Sequence, residues 1–103
     1  MGPTESAARP TASLLFFAYN HEAFVEEALV SALRQDVGAF ELVVVDDAST
    51  DRTREIIEEV LRRGAPPGVT LRRLYKERNG GLIAAVNDAM ALATGEIFAE
   101  KWL

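Results

Sequence analysis

The sequence predicts an α/β fold: a Rossmann-like parallel sheet in the order 3-2-1-4, with helices on both faces. Continuously apolar runs alternate with segments of helical periodicity, giving three strand-to-helix units and the start of a fourth strand within 103 residues. The connections between them are short, which requires parallel strands and right-handed crossovers. The run Val43-Val44-Val45 leads directly into Asp46 and Asp47, followed by Ser49 and Asp51. Polar residues at the carboxyl end of a buried strand stand where open α/β sheets bind ligands, and the order 3-2-1-4 puts the tips of strands 1 and 4 at the reversal in winding.

Residues 13–18, Ser-Leu-Leu-Phe-Phe-Ala, are apolar without alternation and read as a strand covered on both faces. Phe24, Ala28, Leu29, Ala32 and Leu33 recur at helical spacing, which predicts a helix over 22–35. Glu22, Glu26 and Glu27 suit the positive end of its dipole, and Asp36-Val37-Gly38 breaks it. The second strand covers 40–45. Thr50 or Asp51 caps a second helix reaching residue 63, with Ile56, Ile57, Val60 and Leu61 facing the sheet. Glu58–Arg62 and Glu59–Arg63 are spaced as i,i+4 pairs on its outer side. Gly64 and Pro66-Pro67-Gly68 stop it.

The third strand, 69–75, is interrupted by Arg72 and Arg73 and suits a sheet edge. Asn79-Gly80-Gly81 turns into a third helix, with Leu82, Ile83, Val86, Ala89, Met90 and Ala93 as its expected buried stripe. Gly95 closes that helix, and Ile97-Phe98-Ala99 opens the fourth strand. That strand is an edge with an unpaired backbone row, so the chain reads as the front half of something larger or as a piece that self-associates there.

The length allows one domain. Residues 1–12 lack the apolar core of a secretory signal and are expected to be a disordered extension. A net charge of −5 without a basic cluster argues against nucleic acid or an anionic membrane surface as partner. No apolar stretch approaches the ~20 residues of a membrane span. The absence of cysteine excludes disulfides and thiolate zinc sites and suits a reducing compartment, so a cytoplasmic location is expected.

The first strand-to-helix loop, Ala18-Tyr19-Asn20-His21-Glu22, contains no glycine and cannot be a dinucleotide phosphate loop or a P-loop. Tyr19 stands where its ring either stacks on a flat base or packs with its hydroxyl bonded. Asp46 and Asp47 can accept hydrogen bonds from ribose hydroxyls or a ring N–H; adjacent strand side chains point opposite ways, which argues against shared chelation of a metal. Asn79-Gly80-Gly81 offers free N–H groups at a helix start, suited to a diphosphate or to a plain turn, and Asn87 could face the same crevice. His21, the sole histidine, reads as a solvated surface residue.

Together these residues resemble the amino-terminal half of the inverting family 2 glycosyltransferases, which have the A-type nucleotide-sugar-binding fold. The likeness covers most of 13–99 and rests on four pieces: Ala18-Tyr19-Asn20, the run from Val45 to Asp51, the run from Asn79 to Asn87, and Gly95-Glu96-Ile97. The resemblance implies that Tyr19 stacks on the nucleobase and that Asp47 accepts its ring N–H, often uracil's. It implies a nucleotide-sugar-binding set of Ala18, Tyr19, Asn20, Asp46, Asp47, Ser49, Asn79, Gly81 and Asn87. The implied ligand is a nucleoside diphosphate sugar, with a UDP-sugar expected.

Three departures stand out. Phe17-Ala18 replaces the family's usual Pro-Thr, and Val86 stands where the family often carries a phosphate-binding Arg. Where the family places its Asp-x-Asp motif for Mn2+ or Mg2+, the sequence reads Glu100-Lys101-Trp102-Leu103. Neither that motif nor the later general base is present, so no catalytic and no metal-binding residue is assigned. The chain is expected to bind nucleotide weakly and not to turn over. A non-catalytic nucleotide-binding or assembly module is the alternative; a dinucleotide oxidoreductase or a pyrophosphorylase would need a glycine-rich first loop.

Overall fold

The chain, described over residues 12–103 by a computed structural model, builds its sheet around two strands that need cover on both faces. These are β1 (Ala12–Ala18) and β2 (Phe40–Asp46), buried along nearly their whole length. They lie at the centre, flanked by β3 (Val69–Tyr75) and β4 (Glu96–Trp102) in the order β3-β2-β1-β4. All three pairings are parallel, as predicted. Ala12 already belongs to β1, and the rest of the expected amino-terminal extension lies outside the described residues.

Three helices connect the strands: α1 (Val25–Leu33), α2 (Thr53–Arg62) and α3 (Gly81–Leu92). The chain steps outward from β1 to β3, then returns past β1 to β4. Right-handed crossovers therefore place α1 and α2 on one face and α3 on the other. Successive strand residues serve opposite cores. Leu14, Phe16, Leu42 and Val44 pack with Leu29 and Ile57, while Leu15, Phe17, Val43 and Val45 pack with Ala85 and Ala89.

Three local expectations are corrected. First, α1 begins at Val25 rather than residue 22, and Phe24 is exposed. The N–H groups of His21 and Glu22 donate to Thr53 Oγ1 and Asp51 Oδ2, which pins both residues to the start of α2 before a helix can form. Second, the inward stripe of α3 is Ala85 and Ala89, with Val86 and Ala93 half-buried, whereas Leu82, Ile83 and Met90 are exposed. Apart from Asn87 and Asp88 this helix is apolar around its surface, so periodicity could not choose its face; the two alanines are what allow close approach to β2.

Third, the i,i+4 pairs on α2 give way to longer-range partners. Arg63 pairs with Glu26 of α1, and Glu58 accepts from Arg73 and from the Tyr75 hydroxyl. Burial, and then the Glu58 carboxylate, raise the Tyr75 pKa; the Tyr75 hydroxyl and Arg73 in turn hold Glu58 below the usual carboxylate range.

At the amino ends of the strands, buried Glu41 clasps the sheet. It accepts from Ser13 Oγ at 2.7 Å, Arg72 Nε at 2.6 Å, and the Thr94 N–H and hydroxyl at 2.9 and 3.1 Å. Burial pushes its pKa up, but these donors outweigh it and hold the carboxyl below its ordinary value.

Candidate functional site

Parallel strands deliver all their carboxyl ends to one side of the molecule, and here the change of helix face opens a cleft between them. The cleft has a volume of about 270 Å³. Five of the predicted residues line it: Ala18 and Tyr19 from the end of β1, Asp47 after β2, and Asn79 and Gly81 at the start of α3. Its remaining walls include Phe17, Leu82, Ala85 and Trp102. Tyr19 is 40% exposed, so its ring is available to a ligand. Trp102 stacks on Phe17 with ring centroids 3.9 Å apart.

The adjacent carboxylates separate as the strand pleat demands. Asp47 lies at the cleft, where its Oδ1 accepts from the Gly80 N–H at 3.2 Å and stands 3.9 Å from Lys76 Nζ. Asp46 is fully buried and does not line the cleft. It accepts from the Ser49 N–H at 3.1 Å, from the Ser49 hydroxyl, and from Arg54 Nε and Nη2 at 3.2 and 3.1 Å. That is a filled acceptor set, supporting the loop rather than offering itself to a ligand.

The loops after β1 and β2 are stitched together beside the cleft. Asn20 Oδ1 accepts the Thr50 N–H at 2.8 Å and the Asp51 N–H at 3.3 Å, while its own N–H donates to Ser49 Oγ at 3.0 Å. Asn20 adopts φ 49°, a left-handed conformation that asparagine tolerates better than most residues. Asp51 accepts from the hydroxyl and N–H of Thr53 and from the Glu22 N–H; against desolvation, these hold its carboxyl below the usual range. The structure thus places Asn20, Asp46 and Ser49 in the frame and not in the lining. Asn87 is exposed on α3 and does not line the cleft.

His21 is less solvated than expected: it is half-buried, and its Nδ1 lies 2.9 Å from the Tyr19 carbonyl. Lys76 and Trp102 carry no motif that marks them in the sequence as site residues. Lys76 follows directly on β3, at the same end as the two acids, and that position was its only signal. Trp102 ends the edge strand β4, where the β1–β4 register sets it directly opposite Phe17, and nothing in the local pattern announces that register.

A larger groove, about 980 Å³, runs along α2 on the other side of the loop. Asp51, Glu55, Glu58, Glu59 and Glu77 line it against Arg54, Arg62 and Lys76. Arg54 is already committed to Asp46, so the groove is net acidic and ill-suited to a diphosphate. Among the described residues no group of three or more His, Cys, Asp or Glu could hold a metal ion. Among the described residues Asp47 is the only acidic side chain lining the cleft, and it already faces an ammonium, so these residues do not fit the expected Mn2+ or Mg2+.

Residues 13–100 match the profile of the family described as Glycosyl transferase family 2. A curated relative, the uncharacterized glycosyltransferase EpsJ of Bacillus subtilis (strain 168), is 36% identical over 86 residues, which are 84% of this chain and 24% of that protein. Among solved structures, the mannosyltransferase PcManGT from Pyrobaculum calidifontis, in complex with GDP-Man and Mn2+, superposes with a TM-score of 0.76 at 32% identity. That alignment covers 86% of this chain and 26% of PcManGT. Residues 1–349 of S. aureus TarS, in complex with UDP, give a TM-score of 0.67 at 33% identity, over 88% of this chain and 27% of that TarS chain. The chain therefore spans about a quarter of the length of these relatives. Among the described residues no helix is long and apolar enough to cross a membrane.

Proposed function

The chain belongs to glycosyl transferase family 2, and from that premise we propose that its cleft holds the nucleoside end of a nucleoside diphosphate sugar, with a UDP-sugar as donor. One observation carries this reading: a half-exposed phenol ring and a carboxylate from neighbouring strand tips line one cleft. Both Asp47 contacts fall on Oδ1, which leaves Oδ2 to accept a ring N–H. Tyr19 supplies the stacking face for the base. The start of α3, with Asn79 and Gly81, stands where ribose and diphosphate would follow. The nucleotides in the complexes of similar structures, UDP and GDP-Man, both carry bases with a ring N–H, which supports the same assignment.

In the complete protein, the proposed reaction is inverting transfer of the sugar to an acceptor hydroxyl. A general base would take the proton of that hydroxyl, and a divalent cation, for which no ligand set stands among the described residues, would supply charge stabilisation to the leaving diphosphate. Neither group is assigned to the described residues, and the 103-residue chain is proposed to bind nucleotide weakly at best and not to turn over. Nucleotide-sugar chemistry together with a cysteine-free chain supports a cytoplasmic setting. The open β4 edge is proposed to pair with a second copy, which sedimentation would register as a mass that rises with concentration.

Calorimetry with UDP tests the pocket. Binding should weaken at least about tenfold in Asp47→Ala, the scale of a lost hydrogen bond to a charged group. An isotherm unchanged by that substitution would remove the assignment, and no binding to the wild type would favour the assembly module. Incubation of the chain with Mn2+ and UDP-glucose should release no sugar, and rapid release would contradict the division of labour proposed here.

A further inference from the structure

Lys76 is bound at both ends of its residue, and the two ends serve the two adjacent acids. Its backbone N–H donates to the Asp46 carbonyl at 2.9 Å, and its own carbonyl accepts from Arg54 Nη2 at 2.9 Å. The same Arg54 grips the buried Asp46 carboxylate. Asp46, although outside the cleft, thus fixes the backbone from which the Lys76 side chain departs. That side chain is only 12% exposed, and its Nζ lies 2.9 Å from Asp88 Oδ2 on α3 and 3.9 Å from Asp47 Oδ1.

Gly80 leaves room for this ammonium. A Cβ there would stand 2.9 Å from Lys76 Nζ and 3.1 Å from the Ala84 Cβ. The Gly80 φ is −98°, which any residue can adopt, so a side chain there would act through space, by displacing the ammonium. The Gly80 N–H also donates to Asp47 Oδ1. One carboxylate oxygen is therefore flanked by an amide and an ammonium, both anchored.

We propose that Lys76 is a positioning residue for base recognition: with the Gly80 N–H it holds Oδ1 of Asp47 and presents Oδ2 to the cleft as a fixed acceptor. The inference rests on the cleft being a nucleotide site, and it adds the origin of selectivity. A fixed carboxylate oxygen accepts the ring N–H of uracil or guanine, whereas cytosine and adenine present a ring-nitrogen lone pair that it repels. Asp88 holds the ammonium from the α3 side, so the position of α3 and the aim of Asp47 are coupled through one cation.

The test compares UDP with CDP on three proteins: wild type, Lys76→Met and Gly80→Ala. Trp102, the sole tryptophan, lines the cleft and serves as the fluorescent reporter. The wild type should prefer UDP by about tenfold or more, and Lys76→Met should bring that ratio close to one while circular dichroism shows a folded chain. Gly80→Ala keeps the charge but displaces it, and should also reduce the ratio; it carries the test if Lys76→Met does not fold. Equal weakening toward both nucleotides, with the preference intact in both variants, would mean that Lys76 only supports the fold and would overturn the proposal. Wild type that binds neither nucleotide would overturn the nucleotide reading itself, and this inference with it.

Discussion

Neighbouring residues of a strand serve opposite faces, and this protein uses that rule with a pair of acidic side chains. Asp46 and Asp47 part at the carboxyl end of β2, one into a satisfied network behind the sheet and one into the cleft. At the other end of the same strand, Glu41 is buried and bonded by Ser13, Thr94 and Arg72. Because its folded pKa is lowered, Glu41 contributes stability that is fully present above its unfolded value, the 4.5 of a free glutamate, and is lost as pH falls through the lower folded value. Glu41→Gln keeps the shape but unbalances the donors around it, which should cost about 2 kcal/mol at neutral pH. Thermal unfolding should then show wild type losing stability more steeply than the variant as pH falls below about 4.5. Parallel pH profiles would mean that another carboxylate governs acid stability. The sequence made the acid pair at 46–47 conspicuous but gave Glu41 no distinction, because its partners arrive from β1, β3 and the loop before β4.

Elements whose pattern admits one solution were legible, and those with several were not. β1 and β2 have no polar face to turn outward, so central positions followed from composition alone. Arg72 and Arg73 marked β3 as an edge before any partner was known. The start of α1 was misread because contacts to Asp51 and Thr53, some 30 positions away, override local helix propensity. α3 offered apolar residues all round, and the large ones were assigned inward. The structure instead leaves Leu82 and Ile83 62% and 77% exposed. Exposed apolar side chains one residue apart on a helix suit association with another surface. Sedimentation of the double variant Leu82→Glu, Ile83→Glu should give a dissociation constant at least about tenfold higher than wild type. Identical monomeric behaviour of both proteins at every concentration would remove self-association from the account.

At the scale of the molecule, topology decides where chemistry can occur. The reversal in winding between β1 and β4 gathers Tyr19, Asp47, Asn79 and Gly81 at one cleft from three separate loops, and that gathering was predictable from strand order. The division between lining and frame was not, since it depends on which way Asn20, Asp46 and Ser49 turn once the two loops are stitched together. The molecule also carries a second, larger groove along α2. The two sites can be told apart in one experiment. Amide chemical-shift mapping during a UDP titration should move Tyr19, Asp47, Gly80, Gly81 and the Trp102 indole N–H while leaving Glu55, Glu59 and Arg62 in place. Shifts confined to the α2 groove, with Tyr19 and Asp47 unmoved at saturating UDP, would contradict the assignment of the strand-tip cleft.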